Sequence, residues 1–229
     1  MEFRDSQSTI IRLFLYRRCL EELLRKGRRV ISSQAMAHYC GVNPAQLRKD
    51  LSFFGRFGVR GVGYNVPQLL EEIKNILGLN QKRRIALVGF NPLGETVMRY
   101  FIEPREEYEL TAVFDYDSQK VGQVVKEGLQ VEAIESLPQR VHEGEIEIGV
   151  ICTERELAEQ AVGDLAEAGV RGILNFSPVR LNCLPHVIVQ NVDFTILLDT
   201  LTYSMSEKGR RKTGRRQYNK VKQIVAAVL

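Results

Sequence analysis

"VGFNPLG", residues 88–94, joins a short apolar run to a stretch with helical character, and its reading decides the fold of the middle of this 229-residue chain. A dinucleotide fingerprint, G-x-G-x-x-G, would place glycine at 89, 91 and 94. Gly89 and Gly94 are present; position 91 is asparagine. Upstream, "RRIALVG" (83–89) reads as a buried strand, and downstream a helix is expected from about Pro92 to Glu103. "ELTAVFD" (109–115) is a second strand, and it ends in Asp115, 21 residues after Gly94. Strand, glycine loop, helix, strand and terminal acid is the setting in which a glycine loop gains weight.

In that reading Gly89, Phe90, Asn91, Pro92, Leu93 and Gly94 form the pyrophosphate loop, and Asp115 accepts hydrogen bonds from an adenosine ribose. The acid's charge disfavours a 2′-phosphate, so NAD(H) is expected over NADP(H); Asp117 can share or replace the role. Asn91 leaves three outcomes open. Its amide donates to a phosphate oxygen, the ligand binds more weakly or in a shifted pose, or the ligand has been lost. The pair Asn91-Pro92 also has the form of a helix cap. Further strands are expected at "EIEIGVICT" (145–153), "RGILNF" (171–176) and "VIVQNVD" (187–193), with an amphipathic helix in "ERELAEQAVGDLAEAG". The sum is an α/β, mostly parallel, doubly wound sheet over residues 81–192.

Charge is segregated along the chain. Residues 1–84 hold 16 Lys/Arg against 7 Asp/Glu, residues 85–206 hold 8 against 20, and residues 207–229 hold 8 against 1. A polyanion should therefore meet the two ends. No apolar run reaches the ~20 residues a membrane span needs, and the start "MEFRDSQSTI" lacks the apolar block of a secretory signal, so a cytoplasmic location is expected. Four cysteines and three histidines are scattered without metal-ligand spacing, and no metal is expected.

The basic N-terminal part, residues 1–80, reads as helix from Ser8 to about Arg25, with Ile10, Leu13, Tyr16, Leu20 and Leu23 on one face. A short helix follows, with Ser33 as its expected N-cap. After the turn "CGVN", Asn43-Pro44 supplies an N-cap and a proline in the first helical turn. Leu47, Leu51 and Phe54 should pack inward, leaving Ala45, Arg48, Lys49 and Ser52 on the opposite face. That face suits a major groove, where Arg pairs with guanine edges and Lys and Ser hold phosphates. By itself it equally fits a solvated basic surface. "GRFGVRGVGYNVP" (55–67) favours the groove: it reads as two short strands around a tight turn, a wing carrying Arg56, Arg60, Gly61, Gly63 and Tyr64. A winged helix-turn-helix domain that binds DNA is the result. "QLLEEIKNILGLNQKRR" then looks like a linker helix ending near Gly78.

With "QLRKDLSFFG", "GVRGVGYNVPQL", "VFDYDSQKVG", "AGVRGILNFSPVRL" and "VDF", the chain from about residue 8 to 206 resembles the Rex family of redox-sensing bacterial repressors. The resemblance implies a homodimer on operator double-stranded DNA that NADH releases. It implies a terminal helix, residues 193–206, exchanged between subunits, and a cofactor set that includes Tyr100, Thr153, Asn175 and Phe194. It also implies a switch in which Asp193 of one subunit alternates between Tyr100 and Arg18. Oxidised nicotinamide carries a positive charge that the reduced ring lacks, so a nearby carboxylate can tell them apart. The chain departs from the family pattern at Asn91, at Thr153-Glu154 (in "ICTERE", where valine-proline near the nicotinamide is usual) and in its basic tail, 207–229. A repressor of the same fold with weakened or lost nucleotide response is therefore the alternative. An NAD-dependent dehydrogenase is disfavoured because too little chain is left for a substrate domain.

Overall fold

The computed structural model describes residues 2–59, 61–103, 106–182 and 185–206, with side chains from Ser8 onward. Arg60 and the basic tail from residue 207 thus lie outside the described residues. The chain divides into two units: one runs through Asn80 and takes in the terminal helix from Leu197, and the other is Gln81–Ile196.

The first unit contains α1 (Glu2–Arg25), β1 (Val30–Ile31), α2 (Ser33–Tyr39), α3 (Pro44–Phe54), β2 (Tyr64–Asn65) and α4 (Val66–Leu77). The three-four spacing on α1 buries Leu13, Tyr16, Leu20 and Leu23 against Leu47 and Leu51 of α3 and Leu69, Leu70 and Ile73 of α4. The helix expected as a linker is part of this core: α4 buries Val66, Leu69, Leu70 and Ile73 within the first unit. The cap of α2 is Ser32, not Ser33: the Ser32 hydroxyl accepts from the Ala35 amide at 3.1 Å. Asn43 caps α3 as expected, accepting from Ala45 N at 2.8 Å.

The wing is smaller than two paired strands. Val59 and Gly63 exchange both amide hydrogen bonds in a single antiparallel bridge. The next residues, Tyr64 and Asn65, pair instead with β1, matching Ile31 and Val30. Gly63 lies so close to the Ile31 carbonyl that a side chain has no room there, which brings the hairpin base onto β1.

The second unit contains β3 (Arg83–Val88), α5 (Pro92–Ile102), β4 (Tyr108–Asp115), β5 (Val124–Lys126), β6 (Leu129–Ala133), α6 (Leu137–His142), β7 (Ile148–Ile151), α7 (Arg155–Glu167), β8 (Gly172–Asn175) and β9 (Ile188–Asn191). Strand order is β5-β6-β4-β3-β7-β8-β9. All pairs are parallel except β5 with β6, an edge hairpin. Numbered among themselves, the six parallel strands follow 3-2-1-4-5-6, the doubly wound arrangement with its switch point between β3 and β7. Apolar residues alternate between both faces of β3. Ile85 and Leu87 pack with Val97 and Met98 of α5, while Ala86 and Val88 pack with Leu137, Ala158 and Leu165 on the other side. A strand covered on both faces has to be apolar throughout, which is why "IALV" reads as a run. The last helix, α8 (Phe194–Met205), has no buried residue among the described residues.

Candidate functional site: a dinucleotide cleft and a basic reading helix

The carboxyl ends of β3, β4, β7, β8 and β9 open on a cleft in the second unit, at the switch point where this sheet type binds ligands. The loop 88–94 forms one wall. Gly89 has φ +101°, and a Cβ there would stand 2.7 Å from Thr153 N. A Cβ on Gly94 would run into the Gly89 carbonyl. These two glycines therefore perform two jobs of the fingerprint, the tight turn and the close packing of helix on strand.

The third job, free approach of a ligand to the middle position, is altered. Asn91 is the N-cap of α5: its Oδ1 accepts from Gly94 N at 2.9 Å. Its amide nitrogen donates to the Cys152 carbonyl at 2.7 Å and to Glu154 Oε1 at 3.1 Å. Of the roles weighed for Asn91, the helix cap is the one this geometry contains, and the side-chain N–H groups are directed at protein acceptors. Pro92 has no amide proton, and the Gly94 amide is committed to Asn91, so the first turn of α5 offers fewer donors to an anion than an unmodified glycine loop.

Asp115 is buried and tightly held. Its Oδ2 accepts from Phe90 N at 2.6 Å and from Lys120 Nζ at 3.1 Å, and its Oδ1 accepts from Asp117 N at 2.8 Å. The acid thus clamps the glycine loop to the end of β4. Asp117, two residues on, is exposed and accepts from Gln119 N.

On the β7–β9 side a cavity of about 990 Å³ is lined by Asn91, Thr153, Glu154, Ser177, Asp193 and Phe194, among others including Pro92 and Leu93. That is ample for half a dinucleotide or more. Thr153 and Ser177 are buried beneath it, their hydroxyls 3.2 Å apart, and Ser177 donates to the Thr153 carbonyl at 2.7 Å. Asn175 supports the floor: it donates to Val179 O and Asn191 Oδ1 and accepts from Ser177 N. Phe176 and Phe194 have ring centroids 6.5 Å apart. Cys152 is sealed in, and burial pushes its thiol up to about 12, which makes it an inert wall.

Tyr100 stands two turns along α5, is 60% exposed and does not line the cavity. Asp193 is exposed at the start of α8; it accepts from Thr195 Oγ1 and N, and these bonds hold its carboxyl below the usual range. Arg18 is an exposed residue of α1 in the first unit. Among the described residues no group of three or more His, Cys, Asp and Glu side chains could hold a metal ion, and no helix is long and apolar enough to cross a membrane.

In the first unit Ala45, Arg48, Lys49 and Ser52 lie together on the exposed face of α3. Arg48 reaches Ser33 at 3.4 Å, and Ser52 donates to the Lys49 carbonyl. Arg56 and Gly61 are exposed beyond the helix. Tyr64 is not part of this surface: it is 6% exposed, within the core, and burial raises its hydroxyl pKa. Its place in an alternating glycine-rich segment hid that it follows the wing and faces inward from β2.

Asp50 escaped sequence reading. It is 2% exposed, on the inner side of α3, and accepts from Arg12 Nε and Nη2 (2.6 and 2.7 Å), Tyr16 Oη (2.7 Å) and Gln46 Nε2 (2.7 Å). Burial alone would raise its pKa, but the bonds from Arg12, Tyr16 and Gln46 outweigh burial and hold it below the ordinary value. The network fastens the basic helix to α1. The available signal was one acid on the otherwise apolar flank Leu47-Asp50-Leu51-Phe54.

Residues 6–52 match the family model described as a putative DNA-binding protein N-terminus, and residues 80–179 match the one described as a CoA binding domain. The redox-sensing transcriptional repressor Rex of Syntrophobacter fumaroxidans is 46% identical over 199 residues, 87% of this chain and 95% of that protein. The Thermus thermophilus Rex is 43% identical over 201 residues, 87% and 93% of the two chains. Among solved structures, RSP in complex with β-NAD⁺ and operator DNA aligns with a TM-score of 0.82 at 31% identity, covering 91% of this chain and 98% of that one. RSP in complex with β-NADH aligns at 0.76 and 30%, covering 89% and 95%. The resemblance noted in the sequence thus holds across both units, and the chain belongs to the Rex family of redox-sensing transcriptional repressors.

Proposed function

We propose that this chain binds operator DNA as a homodimer in the cytoplasm, reads the major groove with Ala45, Arg48, Lys49 and Ser52, and is released when NADH fills the cleft of the second unit. The observation that carries this reading is the pairing in one chain of an exposed basic helix behind an Asn-Pro cap with a switch-point cleft of about 990 Å³. Arg56, Arg60 and Gly61 contact the backbone or minor groove from the wing.

The dimer is supported by α8. Ile196, Leu198, Leu201, Tyr203 and Met205 are each more than half exposed, and a helix this apolar with no buried residue among the described ones is suited to a second copy. Exchange of α8 would deliver the partner's Asp193 to Tyr100 or to Arg18. A carboxylate so placed favours the oxidised ring, and the switch between its two partners converts ring charge into a choice of dimer state. Swinging such an equilibrium from 1:99 to 99:1 requires about 5.5 kcal/mol of differential affinity.

Binding to a palindromic duplex, followed by fluorescence anisotropy and titrated in parallel with NADH, NAD⁺ and ADP, tests the proposal. NADH should release the DNA at concentrations where NAD⁺ and ADP do not. Equal grip at every NADH/NAD⁺ ratio, with no nucleotide bound, would leave a plain repressor, the reading that the committed amide of Asn91 favours.

A further inference from the structure

The two positions at which the cleft departs from the family pattern touch each other. Asn91 belongs to the loop after β3 and Glu154 to the loop after β7, 63 residues later, and these loops flank the switch point. Asn91 Nδ2 holds Glu154 Oε1 at 3.1 Å while Asn91 Oδ1 holds Gly94 N at 2.9 Å. One side-chain amide therefore stands between the carboxylate and the first turn of α5. Glu154 starts α7 without capping it through its side chain, so the carboxylate has no evident structural duty there. Positive charge lines the same cavity at Arg155 and Arg180, but Arg155 is spent on the Pro178 carbonyl at 2.8 Å.

We infer that Glu154 sets nucleotide affinity: held by Asn91, it is a built-in anion beside the α5 N terminus that competes with the pyrophosphate of any dinucleotide. A helix N terminus attracts one anion well, and a carboxylate already there repels the next. The effect depends on pyrophosphate charge and not on the nicotinamide, so it sets how much total nucleotide the protein needs and leaves the choice between NADH and NAD⁺ to other residues. This inference rests on the cofactor reading given above.

The test is calorimetric titration of the full-length protein, Glu154→Gln, Asn91→Gly and the double variant with NADH, NAD⁺ and ADP. Glutamine keeps an acceptor for Asn91 and removes the charge. Glu154→Gln should tighten all three ligands by a similar factor, roughly tenfold at low ionic strength and less in high salt. In the Asn91→Gly background, where nothing holds the carboxylate at the loop, that gain should largely vanish. Unchanged or weaker ADP binding by Glu154→Gln overturns the inference, as does a gain confined to one redox form or one that is undiminished without Asn91. If wild type and all variants bind none of the three, the cofactor reading falls and takes this inference with it. Unaltered thermal unfolding of Glu154→Gln confirms that the comparison is made between equally folded proteins.

Discussion

The helix proposed to read DNA and the helix beside the switch-point cleft begin with the same two residues. Asn43-Pro44 opens α3 and Asn91-Pro92 opens α5, and in each the asparagine side chain caps the helix. Beyond the cap they diverge. Asn43 is exposed, its carbonyl oxygen serves Ala45, and α3 is fixed instead from its inner side by Asp50 through Arg12, Tyr16 and Gln46. Asn91 uses both ends of its amide, one on Gly94 and the other across the sheet on Cys152 and Glu154. The same dipeptide is a local start signal in one helix and a cross-sheet clasp in the other. A cap motif therefore says where a helix starts and nothing about what its spare hydrogen bonds will do.

Breaking the inner anchor of α3 should have the largest effect. Asp50→Ala leaves the half-buried Arg12 without its carboxylate and the buried Tyr16 hydroxyl without its acceptor, and chemical denaturation should report a loss of about 3 kcal/mol. The same carboxylate gives a pH signature. Its folded-state pKa is depressed, so its stabilisation is complete above the unfolded aspartate value of about 3.9 and is lost as pH falls through the lower folded value. Asp50→Asn should flatten that acid limb; an unchanged limb would mean that other carboxylates govern it.

On the outer face of α3, Arg48→Ala should weaken operator binding by about 1–3 kcal/mol and relax sequence preference. Lys49→Ala should weaken all duplexes alike and reduce the salt slope by about one. Equal binding by both variants would remove α3 as the reader.

The two caps provide the finest comparison. Asn91→Gly loses the cap and two cross-sheet bonds and should destabilise the protein by about 1–2 kcal/mol. Asn43→Gly loses only a cap and should cost a few tenths. Equal losses would show that the bonds to Cys152 and Glu154 add nothing in solution.

How much of this was legible in the sequence follows from how far each signal reaches. The α1 stripe, the Asn43 and Asn91 caps, and the apolar runs of β3, β4, β7, β8 and β9 all depend on neighbours within a few residues, and each could be read. The edge hairpin β5–β6 carried a weaker local pattern and was not assigned. The length of α4's stripe was visible, but its apolar face was assigned to a linker, since only packing against α1 reveals it as core. Tyr64 was placed on the wing because composition cannot tell the residue at a hairpin's exposed tip from the one at its buried base.

The sequence by itself determined strands β3, β4, β7, β8 and β9, the basic face of α3 and the glycine turn, because periodicity, capping and left-handed glycine conformations are imposed by the backbone over short distances. Only the tertiary structure decided that Asp50 anchors α3, that Asp115 clamps Phe90, and that Asn91 meets Glu154. Those contacts join residues 25 to 63 positions apart. They exist because sheet order sets β3 beside both β4 and β7, and because α1 and α3 share one core.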